Sequence, residues 1–243
     1  MTTRRDVLVL GAESPPMQRL SQRIARLGYR TLPAKTPEQA HVLLRISRSM
    51  IGAVVLPPEL PVLDLRRALC FMSALVFGSE LVFLAAGPPP VSEERRRLRD
   101  AGVGLALFDP VDEATLRFQV NRALAGSLVV RGRRGALRAP GAWPVRVRVG
   151  SRCKETSLYD LSSSGAWLVT EAPSPRSSRV QVELPRELGG AALPARVVRT
   201  NVPGNLRQWN LPLGMSVVFE DPPLETEAAI HLWAEERLRA LAV

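Results

Sequence analysis

The chain has 243 residues, 46% of them hydrophobic and 23% charged, which suits one large or two ordinary globular domains and excludes a charge-dominated disordered chain. A net charge of +10 points toward anionic partners: nucleotides, nucleic acid or a membrane surface. All but two of the 33 basic residues, Lys35 and Lys154, are arginine, and they spread through both halves, so charge alone marks no site.

Taken in order, residues 7–10 (Val-Leu-Val-Leu) form a continuous apolar run, the pattern of a strand buried on both faces. Met17, Leu20, Ile24 and Leu27 recur at helical spacing, and Gly28 stops that helix. A second strand is expected at 29–32. Thr36-Pro37-Glu38 is a helix start, a cap residue followed by proline at the first helical position. Residues 51–56 read as a third strand, 64–77 as a mostly apolar helix burying Cys70, and 81–85 as a fourth strand. After Pro88-Pro89-Pro90, Ser92 caps a short charged helix, 105–108 is a fifth strand, and 111–124 an amphipathic helix. Five βα units in succession predict a doubly wound parallel sheet, with any site beyond the carboxyl ends of its strands.

At Ala125-Gly126 the composition shifts to Gly, Arg and Pro, and this shift continues to Pro144. Beyond it the period becomes two. Short strands are expected at 145–149, 156–161, 166–170, 179–184, 195–200 and 214–219, separated by turn clusters such as Pro173-Ser174-Pro175. That spacing is a barrel pattern, closed by a helix at 224–241. The fold class is therefore α/β plus all-β. Two domains are expected, 1–126 and 127–243, the second comprising an arginine loop at 131–140, a barrel at 144–220 and the terminal helix.

Two clusters in the second half carry chemistry. Arg134 and Arg138 form an RxxxR pair, with Arg133 just before it, and Asp160, Ser162 and Gly165 form DxSxxG. Guanidinium forks bind phosphate bidentately and stack on flat rings. Asp160 and Ser162 supply an acceptor and a hydroxyl for a ring edge, and Gly165 permits a sharp backbone reversal. In this order, with a strand between, the clusters resemble those of the PilZ domain over residues 127–243. That resemblance implies a small β-barrel that binds the bacterial messenger cyclic di-GMP, with Arg133, Arg134, Arg138, Asp160, Ser162 and Gly165 at the ligand. An arginine at position 133 further implies an intercalated ligand dimer.

The first half, over residues 5–125, resembles a response-regulator receiver domain and departs from it where that family does chemistry. After the first strand stands Gly11-Ala12-Glu13, with a single carboxylate. The phosphate-accepting position is Pro57, the position after strand four is Ala85-Ala86, and Asp109-Pro110 replaces the family's Lys-Pro. Proline has no side-chain oxygen, so the expectation is a pseudo-receiver without phosphotransfer. Asp64, the nearest other carboxylate, lies beyond the strand and is expected to cap a helix.

His41 and His231 stand alone in separate halves, Cys70 and Cys153 match no metal or redox spacing, and no P-loop or dinucleotide fingerprint is present. No enzyme, metal or cofactor is expected. Scarce cysteines, no signal-peptide pattern and no uncharged span of membrane length suggest a cytoplasmic protein without membrane insertion. The leading expectation is a cyclic di-GMP receptor. Ligand binding would fold the arginine loop onto the barrel, reorient the pseudo-receiver and control a protein partner in motility or surface behaviour. A constitutive interaction adaptor without nucleotide binding is the alternative. Sequence-specific nucleic-acid binding is not expected, and homodimerisation stays open.

Overall fold

The computed structural model describes residues 6–47, 50–60, 65–76, 80–125, 136–206 and 209–243. The chain divides into two units: Met1–Leu128 together with Ala240–Val243, and Val129–Arg239.

In the first unit five parallel strands, β1 (Asp6–Leu10), β2 (Thr31–Ala34), β3 (Ile51–Leu56), β4 (Val82–Gly87) and β5 (Leu105–Phe108), lie in the order β2-β1-β3-β4-β5. This is the flavodoxin-like doubly wound order. β1 and β3 are buried at every position, as their unbroken apolar runs require. Among the described residues five helices alternate with the strands: α1 (Pro15–Arg26), α2 (Pro37–Ile46), α3 (Leu65–Ala74), α4 (Ser92–Asp100) and α5 (Glu113–Leu124). Their starts are chemically specified. Thr36 accepts the Gln39 amide at 3.3 Å ahead of Pro37, and Asp112 accepts the Thr115 amide at 2.8 Å.

Three local expectations are corrected. The second strand begins at Thr31, not Tyr29, because the buried Tyr29 side chain turns to α5 and donates to Asn121 Oδ1 at 2.7 Å. Cys70 is exposed: Leu65, Leu69 and Met72 occupy the buried face of α3, leaving position 70 on the other side. The third concerns the end of the chain. The terminal helix ends at Ala240, one residue before the expected Leu241, and Ala240–Val243 belong to the first unit, where Ala242 bridges antiparallel to Leu105 on β5. Leu241 and Val243 are buried there, and Val243 joins the core beneath the sheet. Two such side chains contribute about 1.5–3 kcal/mol each to this unit. At the opposite edge β2 carries Pro33, a residue compatible with an edge strand.

The second unit is a closed antiparallel barrel of six strands: β6 (Ala139–Val149), β7 (Arg152–Ser162), β8 (Gly165–Val169), β9 (Arg179–Glu183), β10 (Ala192–Asn201) and β11 (Gly214–Phe219), in the order β10-β11-β8-β7-β6-β9. Alternate residues such as Leu193, Ala195 and Val197 point inward and fill it. Helix α6 (Leu224–Ala240) packs Ile230 and Trp233 on this core, and the Trp143 and Trp233 rings lie 4.9 Å apart. Among the described residues no helix is long and apolar enough to cross a membrane.

β6 begins at Ala139, six residues before the expected barrel strand, so the last two positions of the expected 131–140 loop are paired strand. Pro140 and Pro144 interrupt the alternation, and a bulge between Pro140 and Trp143 shifts the register. A Cβ at Gly141 would sit 2.7 Å from Leu158 Cδ2, so a larger residue in this bulge would require the buried Leu158 side chain to shift.

Candidate functional site

β7 presents Asp160 and Ser162 at positions i and i+2, hence on one face of the strand. β6 pairs Ala139 with Leu161 and Pro140 with Asp160, which brings Arg138, just before the strand, beside both side chains. Arg138 Nη1 donates to Asp160 Oδ1 at 2.5 Å, and Nη2 reaches Ser162 Oγ at 3.5 Å. The pair is largely enclosed, with side-chain exposures of 20% for Arg138 and 9% for Asp160.

The carboxylate has a second partner. The Trp167 backbone amide donates to the same Asp160 oxygen at 3.1 Å. Burial pushes the Asp160 carboxyl above its ordinary range, opposed by the Arg138 charge and by the hydrogen bonds from Arg138 and the Trp167 amide. Ser162 donates to the Gly165 carbonyl at 3.1 Å and lies 3.2 Å from Ser164 Oγ. Asp160 and Ser162 are thus anchored in the β7–β8 hairpin and hold the guanidinium between them. The remaining N–H donors of Arg138 have no partner among the described residues, and a guanidinium so placed suits a phosphate or the face of a planar ring.

Gly165 belongs to this corner in a different way from that expected. The reversal is made by Ser163-Ser164, and Gly165 is the first residue of β8, paired with Ser162 and Val218. It is needed for close approach: a Cβ there would lie 2.2 Å from the Val217 carbonyl oxygen. Arg133 and Arg134 lie outside the described residues. Trp167 was not singled out from the sequence as part of this cluster. Its amide sits two residues beyond Gly165, and a buried acceptor at Asp160 that demands a nearby donor is the signal that would have found it.

At the carboxyl ends of the parallel strands the chemistry is different. Pro57 follows β3 and packs on Gly11, where a Cβ would meet its ring at 3.1 Å. Glu13, the carboxylate that follows β1, is exposed and pairs with Lys35 at 2.8 Å. A cavity of about 420 Å³ at this end is walled mainly by apolar residues such as Pro57, Pro58, Pro88 and Phe108, with Glu93, Glu94 and Arg97 of α4 also on its lining. Asp64 lies outside the described residues, and among those described no group of His, Cys, Asp or Glu converges as metal ligands. At the acceptor position itself, Pro57 has no side-chain oxygen to take a phosphoryl group. Incubation with magnesium and acetyl phosphate is therefore expected to leave the chain unmodified. An aspartyl phosphate found by mass spectrometry within residues 1–128 would contradict that.

No family model and no curated protein matches this sequence. Solved structures do resemble parts of it. A chemotaxis protein, CheY4, of Vibrio cholerae is 18% identical over 49% of this chain and 98% of its own, with a TM-score of 0.40. A response-regulator receiver domain protein of Clostridium thermocellum is 17% identical over 50% of this chain and 94% of its own, TM-score 0.41. The PilZ domain of CeSA, from a cellulose-synthesising bacterium, is 22% identical over 41% of this chain and 95% of its own, TM-score 0.29. The structural neighbours of this chain include response-regulator receiver domains, over its N-terminal half, and a PilZ domain.

Proposed function

We propose that the chain is a signalling adaptor whose barrel unit binds cyclic di-GMP through Arg138 and the arginines that precede it. The observation that supports this reading is the clamp itself: a guanidinium held by Asp160 and Ser162 with donors to spare. Arg134 and Arg133 stand four and five residues earlier, within about 18 Å along an extended chain, a span that permits all three to serve one ligand. In this reading Arg138 meets a phosphate or a guanine face, and Asp160 and Ser162 fix its direction. Arg133 and Arg134 close over the ligand from the other side. Closure made only with ligand present shifts the population of conformations that a protein partner reads. We place that partner on the first unit and the output in motility or surface behaviour.

One observation favours the adaptor alternative. Arg138 is paired with Asp160 and mostly enclosed, as a purely structural ion pair would be. Calorimetric titration of the intact chain at moderate salt separates the two readings. Saturable cyclic di-GMP binding is expected, at about two ligands per chain, falling toward one in Arg133→Leu. Arg134→Ala is expected to lose about 2–5 kcal/mol, on the order of 30-fold or more in affinity. Lys35→Ala, paired with Glu13 in the first unit, should bind as wild type. Absence of saturable binding at tens of micromolar ligand would leave the constitutive adaptor.

A further inference from the structure

The β5 edge of the first unit is more than a place where the chain happens to end. Residues 241–243 run antiparallel along it, joined through the isolated bridge of Ala242 to Leu105. The Ala106 amide donates to the Leu241 carbonyl at 3.1 Å, and the Val243 amide to the Gly104 carbonyl at 3.5 Å. Each of three successive backbone oxygens also meets a side-chain donor. Gln119 Nε2 bonds Leu241 O at 2.7 Å, Arg95 Nη2 bonds Ala242 O at 2.5 Å, and Arg99 Nε bonds Val243 O at 2.8 Å.

Gln119 is fully buried and its orientation is determined. Its carbonyl accepts from Arg122 Nη1 at 2.8 Å, which turns both amide hydrogens toward the edge, one to Ala106 O at 2.8 Å and one to Leu241 O. Leu241 and Val243 point inward while Ala242 is half-buried, so the edge reads an extended segment with apolar, small and apolar residues in succession. This is strand addition to a sheet edge: backbone bonds hold the segment and alternate side chains select it.

We infer that the β5 edge is a peptide-acceptor site, filled by the chain's own residues 240–243 and open to the same segment from a second copy. The acceptor groups all fall between Arg95 and Arg122, and the segment follows more than a hundred residues later, so the acceptor is complete without it. A second copy carries an identical segment, and exchanging an identical element is a low-cost route to a dimer. Intramolecular docking dominates in dilute solution because the tethered segment has the higher effective concentration. Once vacated, the edge exposes unpaired strand groups that invite a partner strand.

The test uses the peptide of residues 236–243, labelled at its amino end, with three chains: intact, shortened to end at Arg239, and full-length Leu241→Asp/Val243→Asp. The last supplies a vacated edge even if the shortened chain fails to fold. The vacated chains are expected to bind one peptide each, at least tenfold more tightly than the intact chain, and to lose it when the peptide carries Leu241→Asp. No binding, or equal binding by the intact chain, would overturn the acceptor. For exchange, the vacated chain is mixed with Arg95→Glu/Arg99→Glu, which keeps its segment but has a weakened edge. A one-to-one complex by light scattering is expected; a mixture that stays monomeric at high concentration would overturn the second-copy partner.

Discussion

Arg138→Ala is expected to destabilise the barrel unit by about 3–5 kcal/mol, the loss typical when one partner of an enclosed ion pair is removed and the other is left uncompensated. Asp160 would keep only the Trp167 amide on the oxygen that Arg138 now meets. The pH dependence identifies the cause. Burial raises the folded-state pKa of Asp160 above its unfolded value, so its favourable contribution is fully present below the ordinary Asp pKa, about 3.9, and is lost as pH rises through the raised value. Removing Arg138 removes the largest opposing influence, so the variant should lose more stability across that rise than wild type does. Asp160→Asn removes the titration, and the Arg138→Ala/Asp160→Asn chain should recover part of the deficit. Urea unfolding as a function of pH, followed by tryptophan fluorescence, measures this. Unfolding of Arg138→Ala within about 0.5 kcal/mol of wild type, as for an ordinary surface substitution, would contradict it. Because this variant loses stability as well as an arginine, Arg134→Ala is the cleaner probe of ligand binding.

Gly165→Ala is expected to lose at least about 3 kcal/mol, at the upper end for overpacking. The added Cβ would stand 2.2 Å from Val217 O and 3.2 Å from Val218 Cα, both backbone atoms of β11. Gly165 and Val218 are paired in the ladder that closes the barrel, so the clash cannot be relieved by a rotamer change and must separate β8 from β11. Gly150→Ala is the control. Gly150 has φ +58°, but nothing lies within 4 Å of the added atom, so it should lose only the left-handed penalty of about 1–2 kcal/mol. Equal losses in the two variants, read by thermal unfolding, would mean that backbone conformation and not close approach sets the requirement at 165.

Legibility from sequence followed the range of each signal. The five strands of the first unit were readable because β1 and β3 are unbroken apolar runs, and caps such as Thr36 act within three residues. The start of β6 was not readable, since Pro140, Gly141 and Pro144 break the alternation and a bulge between Pro140 and Trp143 shifts the pairing with the next strand. The docking of residues 241–243 left no trace, because three residues carry no period and their partners Arg95, Arg99 and Gln119 are remote in sequence. Arg138, Asp160 and Ser162 were singled out by motifs that resemble those of the PilZ domain, and the structure brings these three side chains within reach of one another. The reason for Gly165 was not visible from sequence, because the atom that excludes a side chain there belongs to Val217, some fifty residues later.

The most direct test of the receptor reading locates the ligand on the chain. Amide spectra of the isotope-labelled intact protein are recorded with increasing cyclic di-GMP. If the clamp is the site, the resonances of Arg138, Asp160, Ser162 and Trp167 shift saturably and together, and the same titration of Arg134→Ala requires far more ligand. Spectra unchanged at saturating ligand, or shifts confined to the first unit, would contradict it.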